Sequence, residues 1–166
     1  MKNALFFSAA LLAMGLAAPA YAGVDEMRFG YAENIRDDHG DLVDGKHGAN
    51  AEIELVFDSP EFLNILAGPR PYVMFSGQTE DGGVNFGGFG LYWRWEFADG
   101  WAFEPGFGYI VHDGAIDSNN AADPVRYEEQ NQLLGSRDLF RDSFALEREI
   151  GDHTALQLYW EHMSHG

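Results

Sequence analysis

The feature that most constrains this chain is a strict alternation of large apolar residues with small or polar ones. In Gly88–Phe97 every odd-numbered position is Phe, Leu or Trp, whereas the even-numbered positions are Gly, Tyr, Arg and Glu. Successive side chains of a β-strand point to opposite faces, so the pattern predicts a strand with one aromatic and one polar face. The 14% aromatic content, together with 20 glycines and no cysteine, also favours antiparallel β-structure.

The same period of two recurs along the rest of the chain. Turn residues such as Pro60, Asp99, Gly100, Gly151 and Asp152 separate the alternating segments. We therefore predict seven strands. They are Val24–Glu33, Ala49–Phe57, Tyr72–Phe75, Gly88–Phe97, Trp101–His112, Leu139–Glu147 and Thr154–Ser164.

The first 22 residues have the composition of a secretory signal peptide. Lys2 is positively charged, Ala4–Leu16 is almost continuously apolar, and Ala20–Ala22 is a small-x-small cleavage sequence. The apolar run is too short to cross a bilayer as a helix. We expect cleavage after Ala22 and one mature domain, residues 23–166, outside the cytoplasm.

The charge balance and the residue types exclude several functions. The chain has 10 Lys and Arg against 27 Asp and Glu, a formal net charge of −17. We expect no nucleic-acid partner, because such a chain does not replace the counterions of a phosphate backbone. Without cysteine, thiol catalysis and Cys-based zinc sites are excluded. We expect no cofactor and no metal site, since Asp37, His39, Asp41 and Asp44 resemble a calcium loop only in composition.

Two all-β architectures are compatible with the strands. A soluble sandwich or lipid-carrying barrel turns its apolar face inward, whereas a transmembrane barrel turns that face to lipid and has a polar interior. The signal peptide, the strands of about ten residues and the aromatic face of the strands favour the transmembrane barrel. Its interior is then a structural polar network. The members we expect are Glu52, Glu54, Arg94, Glu96 and Glu104.

The connections and the strand count refine this prediction. The second, fourth and sixth connections are short, whereas Ile35–Gly48 and Asp113–Ser136 are long and polar, which fits short periplasmic turns and long outer loops. Single-chain bacterial barrels have an even number of strands, because an unpaired edge in lipid leaves backbone groups unsatisfied. We therefore expect an eight-stranded type whose closing strand follows Gly166.

The residues with catalytic potential lie on the seventh predicted strand. His162 and Ser164 are two apart and share a face, about 7 Å from Cα to Cα, with Trp160 and Leu158. A neutral imidazole beside a hydroxyl can act as general base to a serine nucleophile. On spacing alone, the pattern fits a polar strand end at the membrane interface better than a catalytic pair.

Several sequence segments resemble one family. Gly135–Arg137, Phe140–Arg141 and Tyr159–Ser164 look like the corresponding parts of the lipid A 3-O-deacylase (PagL) family, and the similarity extends diffusely over the mature chain. Its members are eight-stranded outer-membrane barrels that hydrolyse the ester of the 3-position acyl chain of lipid A. The resemblance implies that Ser164 is the nucleophile and His162 the general base, on the lipid-facing outside.

Two positions differ from the family pattern. The Asn that follows the serine in the family is His165 here, which removes a side chain that could assist the oxyanion hole. The acidic member of the family's triad lies about a dozen residues beyond the serine, past Gly166. Asp138 is a candidate substitute. It would lie opposite His162 if the last hairpin paired residues whose numbers sum to 300.

The resemblance thus implies an outer-membrane serine esterase that removes the 3-O-linked acyl chain from lipid A of lipopolysaccharide. Two alternatives remain at this point: a non-catalytic barrel with a structural or partner-binding role, and a soluble lipid-carrying barrel. The expected partners are lipid A and the outer membrane. The sequence leaves the oligomeric state open, with a homodimer as one option.

Overall fold

The fold is one antiparallel sheet with little helix, in a computed structural model that describes residues 6–10, 16–17, 23–36, 49–79, 83–130 and 133–165. The helices are a 3-10 helix, η1 (Glu61–Leu66), and α1 (Pro124–Gln130). No helix in the described residues has the length and apolar character needed to span a membrane. The strands are β1 (Phe6–Ala10), β2 (Leu16–Ala17), β3 (Val24–Arg36), β4 (Ala49–Phe57), β5 (Arg70–Gln78), β6 (Phe86–Tyr92), β7 (Trp95–Ala98), β8 (Trp101–His112), β9 (Asp138–Gly151) and β10 (Thr154–Ser164).

The strand order confirms the predicted sheet. It is β1-β3-β4-β5-β6-β8-β9-β10, with β2 paired to β3 and β7 paired to β8. Within residues 23–166, β6 and β7 together form one of the seven predicted strands. Every pair is antiparallel, so the strands run alternately between two ends of the sheet.

A proline explains why the strand predicted over Gly88–Phe97 is divided. Tyr92 pairs with Gly106 and Trp95 with Phe103, so the register is the same on both sides of the gap. The residue opposite Trp93 is Pro105, whose carbonyl accepts a hydrogen bond from the Trp93 amide at 2.9 Å. Pro105 has no N–H to return the second ladder bond, and the ladder is interrupted there.

The fourth and sixth connections are short, as predicted, whereas the second, also predicted to be short, is twelve residues long. At the short-turn end the linkers are residues 58–69, which contain η1, and the two-residue turns 99–100 and 152–153. At the long-loop end, residues 37–48, 79–85 and 113–137 connect the strands. The calcium-like residues Asp37, His39, Asp41 and Asp44 lie outside the described residues.

The large apolar side chains are on the outside of the sheet. Phe89 is 60% exposed, whereas Arg141 on the other face is 1% exposed. This confirms the transmembrane barrel and contradicts the soluble barrel, in which the aromatic face would be buried. The exposed outer residues include Phe29, Tyr31, Ile53, Phe75, Trp95, Phe97, Phe107, Tyr109, Phe140, Phe144, Leu146 and Leu158.

A network of arginines and glutamates lies in the interior. Arg141 on β9 donates to Glu52 and Glu54 of β4 and to Glu161 of β10, at 3.1, 2.9 and 2.6 Å. The contacts with Glu52 and Glu54 join β9 to β4, four places away in the sheet order, so the sheet curls into an incomplete barrel. The predicted network is wrong in one member. Glu96 is 71% exposed and lies near the short-turn end, 3.5 Å from Arg94.

Part of the interior is apolar, in contrast to the polar interior expected from the sequence. A buried cluster includes Phe86, Ile110, Leu134 and Leu139, near the long-loop end. Met163 packs against this cluster from β10. Because Met163 is fixed inward, the residues on either side of it in the strand point outward.

The two described segments of the predicted signal peptide pair with the first strand of the mature chain. β1 pairs with β3 from Phe6 with Arg36 to Ala10 with Ala32, and β2 pairs with the lower part of β3. β1 also lies beside β10. The segment therefore occupies the side of β3 that a closing strand would occupy. Cleavage after Ala22 and an eighth strand after Gly166 stay predictions.

Candidate active site

The last strand places the two candidate residues on the outer face. Glu161 is buried and Met163 packs inward, whereas Leu158 on the opposite face of the same strand is 57% exposed. His162 and Ser164 share the outer face with Leu158, as the spacing predicted. Ser164 is the last residue of β10, so the pair lies at the long-loop end.

Aromatic stacking holds the imidazole of His162. Its ring lies nearly parallel to that of Trp160, with a centroid distance of 6.2 Å and an interplanar angle of 8°. Trp160 in turn stacks on Phe144 of β9 at 5.6 Å. The Nδ1 atom of His162 is buried and has no hydrogen-bond partner within the described part of the chain. Stacking therefore positions the imidazole, whereas no hydrogen bond to a described residue fixes its Nδ1 atom.

The register of the last hairpin excludes Asp138 as the substitute acid. His162 pairs with Asp142 and Ser164 with Phe140, so paired residue numbers sum to 304 and not to 300. The carboxylate of Asp138 accepts hydrogen bonds from Tyr109 Oη at 2.8 Å and from Ser136 Oγ at 3.1 Å. The hypothesis was wrong because the residue opposite His162 is Asp142, and Asp138 lies four residues further along β9.

Asp142 is the functional candidate that sequence reasoning missed. It is exposed on the outer face of β9 and lies directly opposite His162. On its other side it pairs with Phe107, and its same-face neighbours along β9 are Phe140 and Phe144. The two-residue turn at residues 152–153, with the irregularity after Thr154, sets this register. Pairing Gly151 with Thr154 across this turn gives paired residue numbers that sum to 305, one more than the observed sum of 304.

Gly135 and His165 meet beside the end of β10. A Cβ atom built on Gly135 would lie 2.6 Å from Cδ2 of His165, so the imidazole occupies the space of a side chain. Gly135 also has φ +77°, a conformation that favours glycine. His165, where the family has Asn, is therefore packed against the 113–137 connection. The described residues contain no group of three His, Asp or Glu able to hold a metal ion.

Hydrogen bonds tie the neighbouring loops of the long-loop end together. Asn85 donates its backbone and side-chain N–H groups to Asp113, at 2.9 and 2.6 Å. These hydrogen bonds keep the pKa of Asp113 below its usual value. Arg137 Nη1 donates to the carbonyls of His112 and Gly114 at 3.0 and 3.1 Å. The rim around the end of the last strand is thus held by specific contacts.

One cavity between described residues of the interior is unsuited to a lipid. It has a volume of about 20 Å³, room for a single water molecule. Charged groups of Arg28, Glu52, Glu54 and Arg141 line it. An acyl chain would have to displace these ion pairs, whereas the outer face beside His162 is apolar. The geometry therefore favours a lipid-binding site on the outside of the barrel.

Comparison with known proteins gives one match. A family model described as lipid A 3-O-deacylase (PagL) matches residues 48–166, which is more than half of the chain. The matched range includes His162, Ser164 and Asp142. Searches of curated proteins and of solved structures gave no match.

Proposed function

The chain belongs to the lipid A 3-O-deacylase (PagL) family, and from that membership we propose that it hydrolyses the ester of the 3-O-linked acyl chain of lipid A. In this proposal Ser164 is the nucleophile and His162 the general base. Asp142 is the carboxylate that orients His162. The family membership and the barrel make the protein an outer-membrane protein that acts on lipid A.

The observation that carries the proposal is the outward position of His162 and Ser164 at the long-loop end of β10. In an outer-membrane barrel this end faces the outer leaflet, which contains lipid A. An ester close to the glucosamine ring can therefore reach Ser164 laterally from the bilayer. The flanking outer face offers Phe140, Phe144 and Trp160 as an apolar surface for acyl chains.

The chemistry requires a proton acceptor for the serine hydroxyl. Ser164 Oγ attacks the ester carbonyl carbon while His162 takes the hydroxyl proton. The tetrahedral intermediate collapses to an acyl-serine, and the 3-hydroxyl of glucosamine leaves with the proton from the imidazolium. Water, deprotonated by His162, then releases the fatty acid and restores Ser164. No cofactor enters this cycle.

Asp142 has the surroundings expected of the third member. Its outer-face neighbours are Phe107, Phe140 and Phe144, so His162 across the ladder is the polar group paired with it. An ionisable side chain on a lipid-facing surface is costly, which makes it a functional candidate by default. A carboxylate there would fix the imidazole orientation and stabilise the imidazolium. The two side chains are not hydrogen-bonded in the structure, and catalytic hydrogen bonds commonly form or tighten only with substrate bound.

Product analysis tests the proposed reaction. Purified protein folded into bilayers would be incubated with lipid A that retains its 3-O-linked chain, and the products analysed by mass spectrometry. We expect release of one 3-hydroxy fatty acid and a lipid A lacking that chain. Lipid A already deacylated at position 3 serves as the control substrate and should be unchanged. Unaltered lipid A in the first sample would favour the non-catalytic barrel, and loss of another chain would reject the 3-O assignment.

A further inference from the structure

The connection between β4 and β5 carries the most exposed apolar side chains of the short-turn end. Within η1, Phe62 is 75% exposed, Ile65 88% and Leu66 50%, and no residue of this helix is buried. A 3-10 helix has three residues per turn, so side chains three apart lie above one another. Phe62 and Ile65 therefore form one apolar side, which we call the η1 face.

The backbone after η1 turns the helix back towards the barrel wall. Ala67 and Gly68 have φ values of 66° and 64°, and their amides bond back to the helix at Asn64 O and Leu63 O, both at 3.1 Å. Left-handed residues at this position end a helix and reverse the chain. The conformation is thus specified by local hydrogen bonds and is not an open loop.

A side chain of the outer wall is bonded to the end of η1. The indole Nε1 of Trp93 donates to the carbonyl of Leu66 at 2.7 Å. Trp93 lies at the junction of β6 and β7, and the residues that flank it on the outer face, such as Trp95 and Phe97, are exposed. The η1 face is therefore continuous with the lipid-facing surface of the barrel.

From this continuity we propose that the η1 face binds the phospholipid leaflet at the short-turn end of the barrel. Phe62 and Ile65 insert at the boundary between headgroups and acyl chains, and Trp93 holds η1 against the wall. An apolar surface at this depth with polar neighbours such as Glu61 and Asn64 matches an interfacial segment. This inference depends on the barrel and its orientation, and not on the esterase activity at the opposite end.

Single cysteine labels test this proposal in a chain that has no native cysteine. Ile65→Cys and the matched control Asn64→Cys would each carry an environment-sensitive fluorophore, in protein folded into phosphatidylcholine vesicles. Both side chains are exposed, so neither change opens a core cavity. With bromine-labelled acyl chains in the vesicles, we expect blue-shifted emission and at least twofold stronger quenching at position 65 than at position 64.

Two results would overturn the proposal. Water-like emission at both positions would mean that the η1 face does not enter the leaflet. Blue-shifted emission at position 65 that bromine-labelled lipid does not quench, and that depends on protein concentration, would indicate a second copy of the chain as occupant. A Phe62→Ser/Ile65→Ser double variant adds a check. It should retain heat-modifiable gel mobility, and in bilayers it should unfold at a lower urea concentration than a Glu61→Ser/Asn64→Ser variant.

Discussion

Arg28 and Glu104 form a two-point ion pair inside the barrel, with Arg28 Nη1 and Nη2 donating to the carboxylate at 2.5 and 3.1 Å. Their strands, β3 and β8, are separated by four ladders in the sheet order. In a flat sheet these strands would lie about 19 Å apart. The ion pair therefore shows that the sheet is curved, and it joins opposite sides of the incomplete barrel.

Removing Glu104 should destabilise the barrel strongly. Glu104 also accepts a hydrogen bond from Arg70 at 2.6 Å, so Glu104→Ala deprives two arginines of a buried partner. We expect a loss of about 1–3 kcal/mol in the free energy of unfolding, because both arginines lose a buried hydrogen-bonded partner although Glu26 still pairs with each of them. Urea unfolding in vesicles measures it. Glu149→Ala, which removes an exposed partner of Arg94, should cost under about 1 kcal/mol. Equal effects of both substitutions would contradict the interior network.

Two glycines of β6 should respond differently to the same substitution. A Cβ on Gly90 would lie 2.6 Å from Oη of Tyr72 on the crowded interior face. A Cβ on Gly87 would meet nothing closer than Met74 O at 3.9 Å. We expect Gly90→Ala to cost about 1–3 kcal/mol by overpacking and Gly87→Ala to be nearly neutral. Thermal unfolding compares them, and a neutral Gly90→Ala would mean that the interior is less tightly packed than described.

Arginine on the outer face should cost stability according to its depth. Phe89 is in the middle of β6 and 60% exposed, whereas Ala51 is exposed near the long-loop end of β4. Neither has a charged residue directly opposite it in the sheet. Relative to alanine at the same site, arginine at Phe89 should cost about 2–4 kcal/mol and at Ala51 about 0–1 kcal/mol. Reversible folding into bilayers gives both values. Equal, small costs would contradict lipid contact at this face.

The strands were predictable because the alternation of apolar and polar residues is a property of each short sequence segment by itself. Ala49–Phe57 and Thr154–Ser164 have the predicted bounds in the structure. The outward face of His162 followed from counting by two. Two features depend on pairs of strands and escaped prediction. The strand break opposite Pro105 needs the β6–β8 register, and the position of Asp142 opposite His162 needs the β9–β10 register.

The interior was predicted less completely, for a physical reason. Alternation assigns a side chain to a face but not to a depth along the strand. Glu96 has the parity of an interior residue, yet β7 ends so close to the turn that its carboxylate reaches solvent. Likewise, Leu134 comes from a loop with no strand pattern and still packs into the buried cluster.

Asp142 can be tested as a residue that positions His162. Asp142→Asn keeps the shape and removes the charge, and we expect kcat to fall by about 10²–10⁴-fold with little change in KM. Asp142→Glu should recover part of the activity, which a purely structural role would not explain. Asp138→Asn, on the same face of the same strand, is the control and should remain within a few-fold of the unmodified protein. An active Asp142→Asn protein would remove Asp142 from the mechanism and leave the roles of His162 and Ser164 intact.

Ser164 on the outer face is the proposed nucleophile for lipid A deacylation. The most direct test of this role is the mass spectrum of lipid A from cells that express the unmodified protein, Ser164→Ala or the control Ser136→Ala, with heat-modifiable gel mobility to verify folding. We expect loss of the 3-O-linked chain with the unmodified protein and with Ser136→Ala, and a deacylation rate lowered by about 10³-fold or more with Ser164→Ala. A folded Ser164→Ala barrel that deacylates lipid A like the unmodified protein would contradict this role.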